Sequence, residues 1–345
     1  MNATTVAVDL AKNVFEIAVA DGSWKIVDRA RLTRAQFARW FDNRAVELVV
    51  MEACGSAHHW ARTLRSRGIE VRLLPAQYVR AYVKRNKTDA ADALALLEAA
   101  RASDIKPVAV KSVEQQALQA LHRLRSGWMA TRTRRINTLR GFCREFGLEV
   151  PVGVARGLAQ IARLIADDQS AIPAILRTPM RLALEEIRLM EARIESLERE
   201  LAQIARQSPA CTALTSVPGI GLLTSTAMVA AVGDPRSFDS GRRYASFLGL
   251  TPREYSSGGS RYLGRISKRG DRYLRMLLTH GARSVLRAAT VARRAGRNVD
   301  RLRTWALAVQ ERSNHNKATC ALANKLARIA WAVWVKHERY RAASA

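Results

Sequence analysis

Thr5-Val-Ala-Val-Asp9, Val14-Phe-Glu-Ile-Ala-Val19 and Trp24-Lys-Ile-Val27 open the chain as three short runs rich in β-branched and aromatic residues. Their alternation has the period of strands, and Asp21-Gly22 predicts a tight turn between the second and third. Outward from these, Arg34 to Phe41 predicts a helix, Glu47-Leu-Val-Val-Met-Glu52 a buried strand, Ala57 to Arg67 a second helix and Val71 to Pro75 a further strand. Three antiparallel strands followed by alternating helix and strand is the order of a ribonuclease-H-like α/β layer with carboxylates at strand ends.

Beyond this α/β part the chain reads as helical. Ser112 to Phe146 has a helical pattern, and in Thr178 to Arg206 the residues Met180, Leu184, Ile187, Met190, Ile194, Leu197, Leu201 and Ile204 recur at spacings of three and four, as a coiled-coil seam does. An antiparallel helical hairpin is expected, either as a dimerisation element or packed within one chain. Val217-Pro-Gly-Ile-Gly-Leu-Leu-Thr-Ser-Thr-Ala227 resembles a helix-hairpin-helix module, in which Gly219 and Gly221 let backbone N–H groups approach a phosphate. A tight helix-helix turn without a ligand explains the same glycines. The remainder is expected to be helical apart from a Gly/Ser-rich loop from Ser256 to Gly264. The expected class is therefore α/β plus all-α, with domains at 1–110, 111–207 and 208–345.

Charge narrows the partners. The chain has 345 residues, 57 Lys and Arg against 30 Asp and Glu, and a formal charge of +27, far more than solubility requires. The surplus is uneven: residues 161–260 carry 11 basic and 11 acidic side chains, whereas residues 261–345 carry 20 and 4. Counterion release from nucleic-acid phosphates rewards this concentration of cations, and the absence of a clean split between basic and apolar faces disfavours a membrane surface. No apolar run approaches a membrane span, Asp9 falls where a signal peptide needs its apolar centre, and a cytoplasmic protein is expected. Cys54, Cys143, Cys211 and Cys320 lack the spacing of a zinc site or a disulfide framework.

Two constellations carry chemistry. Asp9 ends the first strand, Glu52 ends the fourth, and Asp89 and Asp92 lie three apart in Asn86-Lys-Thr-Asp-Ala-Ala-Asp-Ala-Leu, where Thr88 is placed to cap a helix. Each pair of carboxylates at about 4 Å would repel by ~4 kcal/mol at an effective dielectric near 20, so such a cluster calls for a cation. Oxygen-only ligands select Mg2+ or Mn2+, ions suited to phosphodiester chemistry. The second constellation is Phe247-Leu-Gly-Leu-Thr-Pro-Arg-Glu-Tyr-Ser-Ser-Gly-Gly-Ser260, followed by Arg261-Tyr-Leu-Gly-Arg-Ile-Ser-Lys-Arg-Gly-Asp271. A serine hydroxyl on this loop, among Arg261, Arg265, Lys268 and Arg269, is placed as a phosphoryl-transfer nucleophile would be, although Ser-Ser-Gly-Gly also makes an ordinary turn. No adjacent histidine offers a base.

In this order, the Val-Asp9, Met-Glu52, Asn86 to Asp92, Val-Pro-Gly-Ile-Gly, Leu-Gly-Leu-Thr-Pro-Arg, Ser-Ser-Gly-Gly and Ile-Ser-Lys-Arg-Gly-Asp motifs resemble the DEDD-type insertion-sequence transposases, also called bridge-RNA-guided recombinases. The resemblance spans nearly the whole chain, and Ala323 to Trp331 is similar to the branch with longer C-terminal helices. It implies a RuvC-like N-terminal domain whose acids, matching Asp9, Glu52, Asp89 and Asp92, hold Mg2+. It also implies a nucleophilic serine that falls on Ser257, with Ser256 and Ser260 as neighbouring alternatives. Family members form dimers that pair into tetramers, one subunit's acids completing a site around another's serine, while a structured non-coding RNA pairs with donor and target DNA. The rival readings are a metal-dependent nuclease or junction resolvase in which water attacks, and an inert protein that binds RNA and DNA.

Overall fold

The computed structural model describes residues 5–83 and 88–342 and divides the chain into two compact units, Met1–Val113 and Glu114–Ala345. In the first unit, β1 (Thr5–Leu10), β2 (Val14–Ala20), β3 (Ile26–Thr33), α1 (Arg34–Trp40), β4 (Leu48–Glu52), α2 (Ala57–Arg65), β5 (Glu70–Leu74), α3 (Ala76–Val79) and α4 (Asp89–Arg101) follow one another. The five strands form one sheet in the order β3-β2-β1-β4-β5. β1, β2 and β3 pair antiparallel, and β4 and β5 run parallel to β1. This mixed sheet is compatible with a DEDD nuclease-like domain.

Side-chain alternation gives the sheet two unlike faces. One carries Val6, Val8, Phe15, Ile17, Val49 and Met51 and is covered by α1 and α2 through Phe37, Trp40, Trp60 and Leu64. Phe15, Phe37 and Trp60 meet edge to face with centroids 4.9–5.6 Å apart, contacts worth about 0.5–1.5 kcal/mol each beyond their buried area. The other face is lined by Ala7, Ala18, Ala20, Leu48 and Val50 and takes α4 through Ala93, Leu96 and Leu97. Alanines on the central strands let α4 lie close to the sheet.

The third strand departs from the sequence reading. It runs from Ile26 to Thr33, not from Trp24 to Val27. The Asp21 carboxylate accepts hydrogen bonds from the Ser23 and Lys25 N–H groups at 2.9 and 3.0 Å, and Trp24 sits at φ 65°. The turn therefore extends to Lys25. β3 lies at the edge of the sheet and is largely exposed, so it lacks the apolar alternation by which strands are recognised.

The second unit begins with α5 (Val113–Glu145), α6 (Val154–Ala166) and α7 (Ala174–Gln207). α5 and α7 form the expected antiparallel hairpin. Arg125, Arg132 and Arg135 on α5 meet Glu198, Glu191 and Glu186 on α7 in reverse order, at 2.7, 2.8 and 2.6 Å. Met180, Leu184, Ile187 and Met190 bury against Ile136, Leu139, Ile161 and Ile165, and Leu197 and Leu201 against Leu118 and Ala230. The apolar seam of α7 is thus filled by its own chain.

Then come α8 (Pro209–Thr215), α9 (Leu222–Val232), α10 (Gly241–Phe247), β6 (Pro252–Glu254), β7 (Leu263–Ile266), α11 (Arg272–Arg294), α12 (Arg301–Arg312) and α13 (His315–Lys336). One core joins them, with Leu214, Met228, Tyr244, Leu278, Leu286, Leu322, Leu326 and Trp334 inside. β6 and β7 pair antiparallel, so the stretch expected to be a loop is instead the outer part of a β-hairpin. Among the described residues no helix is long and apolar enough to cross a membrane.

Candidate active site

Asp9 lies one step beyond the Val8–Met51 pair, which sets it level with Glu52 at the end of the neighbouring parallel strand. By alternation both belong to the face lined by Ala7, Leu48 and Val50, the face that α4 covers. Thr88 caps α4 as the sequence suggested, its hydroxyl accepting from the Ala91 N–H at 3.2 Å, and Asp92 follows half-buried in the first turn. Asp89 opens the helix; its side chain, with Asn86 and Lys87 before it, lies outside the described residues.

Sequence reasoning gave no role to Glu16. It pairs directly with Asp9 across β1 and β2, and alternation puts it on the same face, since Phe15 and Ile17 fill the opposite one. That alternation was the available signal. Arg31 on β3 holds Glu16 by an ion pair of 3.2 Å. Glu16, Asp9 and Glu52 thus form a row across β2, β1 and β4. The donors are oxygens of the kind that hard divalent cations take, although among the described residues no three Asp, Glu, His or Cys side chains close into a metal cluster.

The serines sit at the tip of the second unit's hairpin. Ser257 and Ser260 exchange backbone hydrogen bonds of 3.2 and 3.0 Å, and between them Gly258 and Gly259 both have positive φ, 55° and 81°. Two left-handed residues make a type I′ turn, the turn whose twist matches a hairpin. The tip is exposed from Pro252 to Leu263. Ser256 faces away from Ser257 and donates to Glu254 Oε1 at 2.8 Å, where the Arg261 Nε–H also donates at 3.1 Å. The Ser256 hydroxyl and then the Arg261 guanidinium hold the Glu254 carboxyl below its ordinary value. Among the described residues the Ser257 hydroxyl has no hydrogen-bond partner, and Arg265, Lys268 and Arg269 have no ion-pair partner.

The hairpin is fixed at its base. Ser267 N–H donates to Thr251 O at 2.7 Å and Lys268 N–H to Gly249 O at 3.1 Å. At Gly270, with φ 99°, a Cβ would stand 1.8 Å from the Phe247 carbonyl oxygen. Asp271 then caps α11 by accepting from the Tyr273 and Leu274 N–H groups at 2.8 and 3.0 Å. About three turns further along, the exposed side of α11 presents Arg283 and Arg287, with Arg294 at its end.

Behind the start of α11, buried His122 of α5 lies 3.1 Å from the Tyr273 hydroxyl and 3.0 Å from Thr226 Oγ1 of α9. Burial, and then the Arg125 charge, lower its pKa to about 4. At the Val-Pro-Gly-Ile-Gly turn, a Cβ on Gly219 would stand 2.8 Å from the Gly281 carbonyl oxygen of α11, so close packing alone accounts for this glycine. Gly221 is exposed and forms the N-cap of α9.

Comparison with known proteins bears on both units. Residues 6–146 match a family model described as a transposase with the IS110 DEDD domain, and residues 211–296 match the model of the transposase IS116/IS110/IS902 family. The chain is 42% identical over 342 residues to a "Probable family 20 transposase" of Pseudomonas aeruginosa, covering 99% of each chain. It is 38% identical to the transposase for insertion sequence element IS1111A of Coxiella burnetii, over 97% of this chain and 91% of that one. The transposase for insertion sequence element IS1328 of Yersinia enterocolitica is 36% identical over 96% of this chain and 97% of its own. A DEDD domain implies dependence on a divalent metal ion, and transposases act on DNA. The chain belongs to the IS110/IS116 family: it is an insertion-sequence transposase, an enzyme that recombines DNA.

Proposed function

We propose that the chain recombines DNA through a covalent phosphoserine on Ser257. The exposed Ser257 hydroxyl, held at the tip of a tight turn and followed by Arg265, Lys268 and Arg269, is the observation that carries this reading. The serine oxygen bonds to the phosphorus of a DNA phosphodiester as the bond from phosphorus to the sugar oxygen breaks. The proton given up by Ser257 balances the one that sugar oxygen takes. The hydroxyl of the incoming strand then displaces the serine and restores it. The arginines and lysine offset charge gathering on the phosphate.

Asp9, Glu52, Asp89 and Asp92 would hold Mg2+ or Mn2+, which when bound stabilises a leaving oxygen. In this reading residues 1–110 are a RuvC-like domain, 111–207 a helical hairpin and 208–345 the serine-bearing domain, whose Gly219–Gly221 turn offers α9 N–H groups to a phosphate. A structured guide RNA pairs with donor and target DNA, as the motif resemblance implies, and dimers pair into tetramers on the bacterial nucleoid. A second reading puts the nucleophile at Ser256, whose hydroxyl already donates to the Glu254 carboxylate.

The test is strand exchange with guide RNA and both DNAs. Ser257→Ala should abolish exchange and the protein–DNA covalent adduct, while Ser256→Ala keeps both. Loss confined to Ser256→Ala moves the nucleophile by one residue. Exchange without any adduct overturns serine catalysis in favour of attack by water.

A further inference from the structure

The hairpin has a second feature beside its serines. With Ser257 paired to Ser260, Tyr255 N–H donates to Tyr262 O at 2.9 Å, so the two tyrosines are also cross-strand partners. They lie two residues below the serines on their respective strands, and alternation puts Tyr255, Ser257, Ser260 and Tyr262 on one face. Ser256, Glu254 and Arg261 occupy the other, where they bond to one another. The two rings stand side by side, with centroids 6.3 Å apart and planes tilted by 46°. Tyr255 leans over Gly264, where a Cβ would touch its Cε2 at 3.4 Å. The missing side chain makes room for the ring.

Tyr255 and Tyr262 are 61% and 65% exposed, whereas Tyr244 is wholly buried. The sheet offers no reason to leave two large rings in water. Their surroundings are cationic: Arg253 shares the face of Tyr255 on the first strand, Arg265, Lys268 and Arg269 follow Tyr262 along the chain, and the hairpin's acid, Glu254, is taken up by Arg261 on the opposite face. Aromatic rings set among arginines, without acids on their own face, match the stacking platforms on which proteins seat unpaired bases.

We propose that Tyr255 and Tyr262 form a stacking platform for an unpaired nucleobase of the DNA strand being cut, seated beside the phosphate that Ser257 attacks. The placement rests on the reading of this tip as the reacting element. Two residues of strand separate ring from hydroxyl by about 7 Å, a reach of about two nucleotide steps at about 3.4 Å each. A base held there fixes the phosphate's position along the strand. It also favours DNA that is already unpaired at the cut, because a base stacked within a duplex has no free face to offer.

The experiment uses the full chain carrying Ser257→Ala, so that no chemistry is required of it. Single-stranded oligonucleotides with one 5-iodouracil are irradiated on the protein, and adducts are mapped by mass spectrometry. Adducts are expected on the peptide carrying Tyr255 and Tyr262, from the single strand and not from a perfect duplex of the same sequence. Tyr255→Ala with Tyr262→Ala should remove them and weaken binding of the single strand roughly 5- to 100-fold without changing its salt dependence. The double phenylalanine variant should retain both. Adducts found only elsewhere, equal yields from duplex, or unchanged affinity in the double alanine variant overturns the platform. So does a change in sedimentation with crosslinking intact, which would make the rings a contact between copies of the chain. Exchange retained by Ser257→Ala overturns the nucleophile and leaves the crosslinking result standing.

Discussion

The Thr226 hydroxyl donates its hydrogen to the Leu222 carbonyl at 2.7 Å, so toward His122 it can only accept. His122 therefore carries its proton on Nε2, and Nδ1 accepts from the Tyr273 hydroxyl. Each polar atom of this buried ring is satisfied while it stays neutral. Above pH 6.5, the ordinary value, folded and unfolded chains are both neutral here and the network contributes fully. As pH falls from 6.5 toward about 4, the unfolded chain takes up a proton that the folded one refuses, and stability is lost. Melting curves should show the wild type losing more between pH 7 and pH 4.5 than His122→Gln, which has no proton to take. The histidine's role was illegible in the sequence because its partners lie 104 and 151 residues away. The places of Asp9 and Glu52 on their strands and of Thr88 at a helix cap were legible because strand ends and helix caps are local signals. Glu16 was equally local, but its alternation was read for the core and not for the opposite face.

Among elements, the serine hairpin shows how far local signals reach. Ser-Ser-Gly-Gly marked a turn, but nothing nearby announced strands: Pro252 to Glu254 is short and exposed throughout. The hairpin is made by cross-strand pairing and by the clasp at its base, where Gly270 meets the Phe247 carbonyl. A left-handed backbone alone costs alanine about 1–3 kcal/mol. At Gly259 that is all, since nothing lies within 4 Å of an added Cβ; at Gly270 the Cβ would also strike a carbonyl oxygen at 1.8 Å. Chemical denaturation should therefore find Gly270→Ala clearly more destabilising than Gly259→Ala. The helical hairpin of α5 and α7 was easier to read, because apolar residues of α7 recur every three or four positions from Met180 to Ile204. Spacing says that a seam is buried, not by whom, and here α5, α6 and α9 supply the cover.

For the whole molecule, the excess of charge after residue 260 becomes geometry. α11 is 23 residues long, about 34 Å at 1.5 Å per residue, and its exposed side carries Arg283 and Arg287 without a neighbouring acid on the helix. If these meet DNA phosphates, each replacement by Gln should lower the slope of log affinity against log salt by about 1, equally for every sequence tested. A measured slope that does not move would place the phosphates elsewhere. Composition gave the sign and location of this charge along the chain; only the helix shows which arginines share a side.

The exposed strand β3 bears on how so basic an enzyme stays dispersed. At the other edge of its sheet, Leu73 of β5 is bridged by Val108, which covers that edge. Among the described residues β3 has no such cover, and it carries Asp28, Arg29 and Arg31 instead. An uncovered strand invites copies of itself to zip together into fibrils, and charged side chains along it make that pairing repulsive. The polarity that hid β3 from a reader of the sequence is the same property that keeps one molecule's sheet from growing into the next.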